Sequence, residues 1–103
     1  YVSDLVNFVD LAIKKQKNIF ALYNVGSGTL ISVNNLVNKI IKVYGKKMLI
    51  LNDFKKKSLK THVCLNCKKA NKEIGWHPKV SLEEGIKKTL KWYSKNIDHI
   101  KNN

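Results

Sequence analysis

The sequence predicts a mixed α/β fold of about four helices and two to three short strands. Apolar residues recur at helical spacing in three stretches, short apolar runs lie between them, and glycine, serine or proline marks most of the boundaries. In residues 4–16, Leu5, Val6, Val9, Ala12 and Ile13 form the stripe of an amphipathic helix. Asp4 caps that helix or opens its first turn, and Lys14, Lys15 and Lys17 suit the negative end of its dipole. Residues 19–25 read as a short buried strand closed by Gly26-Ser27-Gly28. Ser32 is the expected N-cap of a second helix reaching Tyr44, with Val33, Leu36, Val37, Ile40 and Ile41 inward. Gly45 then ends it.

Residues 48–51 read as a second strand, and residues 52–60 as a long, basic loop. Residues 62–65 are expected to be extended, and a short helix over 68–74 stops at Gly75. Trp76-His77-Pro78 makes a bend, because the residue before proline avoids the helical region. Ser81 and Glu84 form an S-x-x-E capping box for a last helix to about Asn96, burying Leu82, Ile86, Leu90 and Tyr93.

A chain of 103 residues makes one domain with a modest core, and 44% hydrophobic content fits a globular one. No apolar run approaches the roughly 20 residues of a membrane span. Tyr1 is no initiator and the first ten residues lack signal-peptide order, so a piece of a longer, cytoplasmic protein is expected. The net charge is +13, and all twenty basic residues are lysine. Lysine is a hydrated point charge without arginine's bidentate fork, so the charge reflects either composition bias or an anion-attracting surface. A basic nucleic-acid-binding module needs exposed aromatics among those lysines, whereas Tyr44, Trp76, Trp92 and Tyr93 fall at positions expected to be buried or half-buried.

Cys64 and Cys67 sit in C-x-x-C spacing after His62. They read as two small, half-buried residues at a strand end in a reducing compartment. The alternatives are a redox pair, or zinc with His77 and His99, which lack paired spacing. No metal is assigned.

Four blocks carry a resemblance: Tyr1-Val2-Ser3-Asp4-Leu5, Tyr23-Asn24-Val25-Gly26-Ser27-Gly28, Asn66-Cys67-Lys68-Lys69-Ala70, and Gly75-Trp76-His77-Pro78 continuing through Ser81-Leu82-Glu83-Glu84-Gly85. In order and spacing they resemble the C-terminal, substrate-binding segment of the extended short-chain dehydrogenase/reductase family, the NAD-dependent sugar-nucleotide epimerases and dehydratases. Residues 1–103 would then be a single segment lacking the Rossmann half. The resemblance implies a parent that uses NAD(P), acts on a nucleotide-diphosphate sugar and forms a homodimer. Gly26, Gly28, Trp76, Pro78, Glu83 and Glu84 are expected to be scaffold.

In the family, an Arg-x-Gly-Asp-like stretch before the D-x-S-K-A block helps hold the diphosphate. Counting back from Ala70 puts Lys56 at the arginine and Leu59 at the aspartate, while Asn66 replaces a capping aspartate. The resemblance thus implies substrate binding by Lys55, Lys56, Lys57 and His62. No catalytic or cofactor-binding residue is assigned. The family's G-x-x-G-x-x-G turn has no counterpart here, and no tyrosine is followed four residues later by lysine. The chain alone is expected to be inactive.

Overall fold

The structure is a computed structural model that describes residues 1–53, 55 and 62–101, with side chains to Ile97. It contains α1 (Val2–Lys15), α2 (Val33–Tyr44), α3 (Lys68–Ile74) and α4 (Leu82–Lys101). The chain divides into two compact units, Tyr1–Leu30 with Val63–Leu82 and Ile31–His62 with Glu83–Asn103.

The predicted strands do not form: among the described residues there is no strand, and the fold is helical rather than mixed α/β. A strand is defined by a ladder partner. Residues 19–25 have none, although they keep the two-residue alternation of extended chain: Ala21, Tyr23 and Val25 are half-buried, and Phe20, Leu22 and Asn24 are exposed. Residues 48–51 and 62–65 likewise carry no ladder and are exposed. An apolar run specifies burial, not the pairing that makes a sheet.

The first unit holds a core of Ala70, Ile74 and Trp76, against which Phe8, Leu11, Ala12, Tyr23, Val25 and Cys67 pack. Phe8 joins the pieces, with its ring edge-to-face with Trp76 at 5.7 Å and with Tyr23 at 5.8 Å. The rotation of α1 departs from expectation. Asp4, Phe8 and Leu11, spaced i, i+4, i+7, lie on the face turned to the core, while Leu5, Val6, Val9 and Ile13 are exposed. A charged residue decides this. Asp4 does not cap the helix but is buried in its first turn, where its carboxylate accepts the Lys79 and Val80 amides at 3.2 and 3.1 Å. That anchoring outweighs the exposure of four aliphatic side chains.

α3 ends as predicted on Gly75, whose φ is 72°. Its amide returns to Asn71 O at 2.9 Å and the Trp76 amide to Ala70 O at 3.2 Å, a Schellman-type closure that drives Trp76 back into the core.

In the second unit, Ser32 Oγ accepts the Asn35 amide at 3.2 Å and Gly45 closes α2 at a φ of 76°, both as expected. Leu36, Val37, Ile40 and Ile41 are half-buried, but Val33 is exposed. In α4, which extends beyond the predicted end, Ile86 is buried and Leu90 half-buried, while Leu82 and Tyr93 are exposed. Glu83 pairs with Lys87 at 2.9 Å, and that hydrogen bond, followed by the charges of Lys87, Lys39 and Lys42, holds its carboxyl below the ordinary value.

Candidate ligand cleft and predicted substrate residues

Of the four residues expected to bind substrate, Lys55 and His62 are exposed on the second unit. Lys55 sits in a turn where its amide donates to Asp53 Oδ1 at 3.1 Å, an Asx-type closure that leaves its side chain at the surface. Lys56, Lys57 and Leu59 lie outside the described residues.

The first unit carries a cleft of about 500 Å³ bordered by Gly28, Asn66, Cys67, Lys68, Asn71 and His77. Of the predicted residues that are described, neither Lys55 nor His62 lines it. Its walls come from the glycine turn, the approach to α3, and the bend after α3. Asn66 sets the approach: its Oδ1 accepts the Lys68 amide at 3.0 Å, and its carbonyl accepts Asn24 Nδ2 at 3.4 Å. The uncharged substitute thus keeps the acceptor role expected of an aspartate. The Cys67 thiol donates to Gly26 O at 3.5 Å and so ties α3 to the turn. A Cβ at Gly26 would stand 3.2 Å from Leu65 Cδ1, and Gly28 takes a φ of 69°. Gly28 is favoured by its backbone conformation, whereas a side chain at Gly26 would need Leu65 to shift by a few tenths of an ångström.

Beside this wall, Tyr23 Oη donates to Glu73 Oε2 at 2.9 Å. Lys69 Nζ donates to Leu22 O at 3.1 Å and lies 5.1 Å from the Tyr23 ring centre. Desolvation, then the bond to Glu73 and its charge, raises the Tyr23 pKa above 10.0. This cluster fastens residues 22–23 to α3.

Chemically, the cleft offers amide, ammonium and imidazole groups, which suit hydrogen bonding to a polar or anionic ligand. Among the described residues no three His, Cys, Asp or Glu side chains converge on a metal position. Cys64 and Cys67 are both free thiols, the first exposed and the second half-buried. The glycine turn does not fit a dinucleotide cradle. Thr29–Ser32 separate it from α2, and the Asn35 amide in that helix's first turn is taken by Ser32. The sequence alone, in which Trp76 and Pro78 read as scaffold and Asn66 as a substitute for a capping aspartate, does not reveal that these residues border a cavity.

No helix among the described residues is long and apolar enough to cross a membrane. No family model and no solved structure matches the chain. Curated relatives do. A UDP-glucuronate 4-epimerase of Thermodesulfobacterium geofontis is 35% identical over 85 residues, covering 80% of this chain and 26% of the relative. The Escherichia coli dTDP-4-dehydro-6-deoxyglucose reductase is 33% identical over 88% of the chain and 28% of its own length. A Homo sapiens dTDP-D-glucose 4,6-dehydratase is 30% identical over 99% of the chain and 31% of its own length. The chain therefore spans about a quarter to a third of these relatives. By these matches it belongs to the extended short-chain dehydrogenase/reductase family of sugar-nucleotide epimerases and dehydratases.

Proposed function

We propose that the chain is the substrate-side part of a cytoplasmic sugar-nucleotide epimerase or dehydratase. In this reading it contributes binding energy for a nucleotide-diphosphate sugar through Lys55, Lys56, Lys57 and His62. NAD(P) and the proton-transferring residues belong to a dinucleotide-binding part, and the whole enzyme is a homodimer. The observation that carries the reading is the alignment of 80 to 99% of the chain with sugar-nucleotide enzymes of which it covers 26 to 31%. A lysine cluster fits uniform binding of diphosphate rather than chemistry.

The test is a nuclear magnetic resonance titration of the labelled chain with UDP-glucuronate and dTDP-glucose. Shifts concentrated in residues 55–63 are expected. Shifts confined to Asn66, Lys68 and His77 would move the ligand to the cleft, and no shifts at all would remove substrate binding from this chain.

A second reading, a basic nucleic-acid-binding surface, has one observation in its favour. Contrary to the sequence-based expectation, Tyr44, Trp92 and Tyr93 are 45, 54 and 50% exposed; only Trp76 is buried. Trp92 and Tyr93 stand edge-to-face at 5.3 Å on lysine-rich α4. A steep fall of oligonucleotide affinity with salt, together with quenching of Trp92, would favour it.

A further inference from the structure

The thiols of Cys64 and Cys67 share a setting that their spacing in sequence does not show. Both residues belong to the first unit and border the same cleft of about 500 Å³, with Lys68 beside them. Cys64 is exposed and Cys67 half-buried. Cys67 stands at the N-cap of α3 but makes no side-chain cap bond, so its thiol is not committed to the helix. It turns back along the chain instead. Its Sγ lies 3.7 Å from Leu65 O, the carbonyl of the residue next to Cys64, and 3.5 Å from Gly26 O. Thiol–carbonyl hydrogen bonds are weak, so this tie to the glycine turn yields to a covalent competitor.

The chain between the two thiols is able to close. A C-x-x-C segment spans at most about 10 Å between its end α-carbons, and a disulfide needs roughly 4–7 Å. Residues 63–66 belong to no helix and no ladder, so a bend there breaks no regular backbone pairing. Paired thiols also serve metals, but among the described residues no third His, Cys, Asp or Glu converges with these two. We propose that Cys64 and Cys67 form a thiol–disulfide exchange site for a small anionic disulfide, and that oxidation releases α3 from the glycine turn. The exposed Cys64, as thiolate, attacks one sulfur of the incoming R–S–S–R, forming a mixed disulfide and expelling RS⁻. Cys67 then gives up its proton and attacks Cys64 Sγ, expelling the second RS⁻. Two protein thiols become one disulfide, and the reagent leaves as two thiols carrying the two protons. Lys68 and the net charge of +13 draw an anionic disulfide to the cleft. Such a pair is a transient sensor rather than a structural cross-link.

The experiment incubates the 103-residue chain with oxidised glutathione under native conditions and follows intact mass. The expected main product has lost two hydrogen atoms, reverts with dithiothreitol, and shows moved amide resonances at Gly26 and Gly28. Its formation slows as salt screens the attraction. Cys67→Ser should stop at a single glutathione adduct on Cys64. Cys64→Ser should react about tenfold more slowly, because the half-buried Cys67 must then attack first. A stable glutathione adduct on the native chain overturns the proposal, since the thiols then do not meet. No reaction, closure only in urea, or disulfide-linked pairs of chains as the main product overturn it equally. An internal disulfide that leaves the Gly26 resonance in place overturns the release of α3. A rate indifferent to salt overturns the choice of an anionic disulfide.

Discussion

Trp76 donates its indole N–H to the carbonyl oxygen of Asp4 at 2.9 Å, joining residues 72 apart in sequence. Both are buried, and the Asp4 carboxylate on the same residue receives the Lys79 and Val80 amides. One residue of α1 thereby satisfies three donors from the bend that follows α3. The Tyr-Val-x-Asp block and the Gly-Trp-x-Pro block are thus two halves of one contact.

Asp4→Ala removes the acceptor of those two part-buried amides. A cost of about 1–3 kcal/mol is expected, from roughly 0.5–1.5 kcal/mol for each bond lost at a part-buried amide. Asp4→Asn keeps one acceptor oxygen and should lose about half as much. Trp76→Phe should cost about 1–3 kcal/mol, from the lost bond and the smaller ring. Urea unfolding followed by far-ultraviolet circular dichroism checks all three. Equal stability of Asp4→Ala and the parent chain would show that solvent replaces the carboxylate.

The N-terminus of α2 and the C-termini of α2 and α3 were legible in the sequence because they depend on local chemistry. Ser32, Gly45 and Gly75 act where their residue types require, since a cap hydroxyl or a positive φ needs nothing from afar. The strands were not legible. Residues 19–25 carry the right composition and alternation, but a ladder depends on a second segment that composition cannot name. The face of α1 was misread, except at Ala12, for a related reason. Leu5, Val6, Val9, Ala12 and Ile13 make the better stripe by hydropathy, yet the buried hydrogen bonds of Asp4 fix the rotation instead. Lys55 and His62 are exposed polar groups, as their basic surroundings in sequence suggest, whereas the cleft around Asn66 and His77 arises from tertiary approach of three separate blocks.

The two glycine caps offer a controlled comparison. Gly45 and Gly75 have φ of 76° and 72°, and an added Cβ meets nothing within 4 Å at Gly45 and only Lys15 Nζ at 3.6 Å at Gly75. Sterics with neighbours are therefore minor, and the cost is that of the left-handed backbone, about 1–2 kcal/mol for alanine at either site. Asparagine should recover part of it. Matching losses in the two units, read from urea midpoints, are expected. A much larger loss at Gly75 would reveal that Lys15 cannot move aside.

Tyr23 supplies a pH dependence. Its folded pKa is raised above 10.0, first by desolvation and then by Glu73, so the folded state binds the phenolic proton more tightly than the unfolded chain. Stability from this group is therefore complete below pH 10.0 and is lost as pH rises through the folded value. Tyr23 should be the late phase of phenolate absorbance, and Tyr23→Phe should delete that phase. Glu73→Gln should move it earlier. Unchanged titration in both variants would mean that the Tyr23–Glu73 bond does not persist in solution.

On the proposed function, the chain mixed with NAD and a panel of nucleotide-sugars should give no product. It contains neither a tyrosine-lysine pair four residues apart nor a dinucleotide-type glycine turn. Chromatography of the nucleotide-sugars after prolonged incubation is the measurement. Conversion above a protein-free blank would place chemistry in this chain.

The basic loop yields the sharpest test of that function. A lysine on a diphosphate makes a charge-assisted hydrogen bond worth about 1.5 kcal/mol, roughly tenfold in affinity. Lys56→Ala should therefore weaken binding of UDP-glucuronate by about tenfold in calorimetry. Lys55→Ala and Lys57→Ala are expected to do less, because counting back from Ala70 aligns Lys56 with the family's arginine. Lys56→Arg should equal or exceed the native affinity, since the guanidinium fork can take two phosphate oxygens at once. A purely electrostatic surface behaves differently: all three alanine variants would weaken binding alike, Lys56→Arg would change nothing, and the losses would vanish together in high salt. That pattern would dismiss a built diphosphate site and leave the charge of +13 as a diffuse attractor of anions.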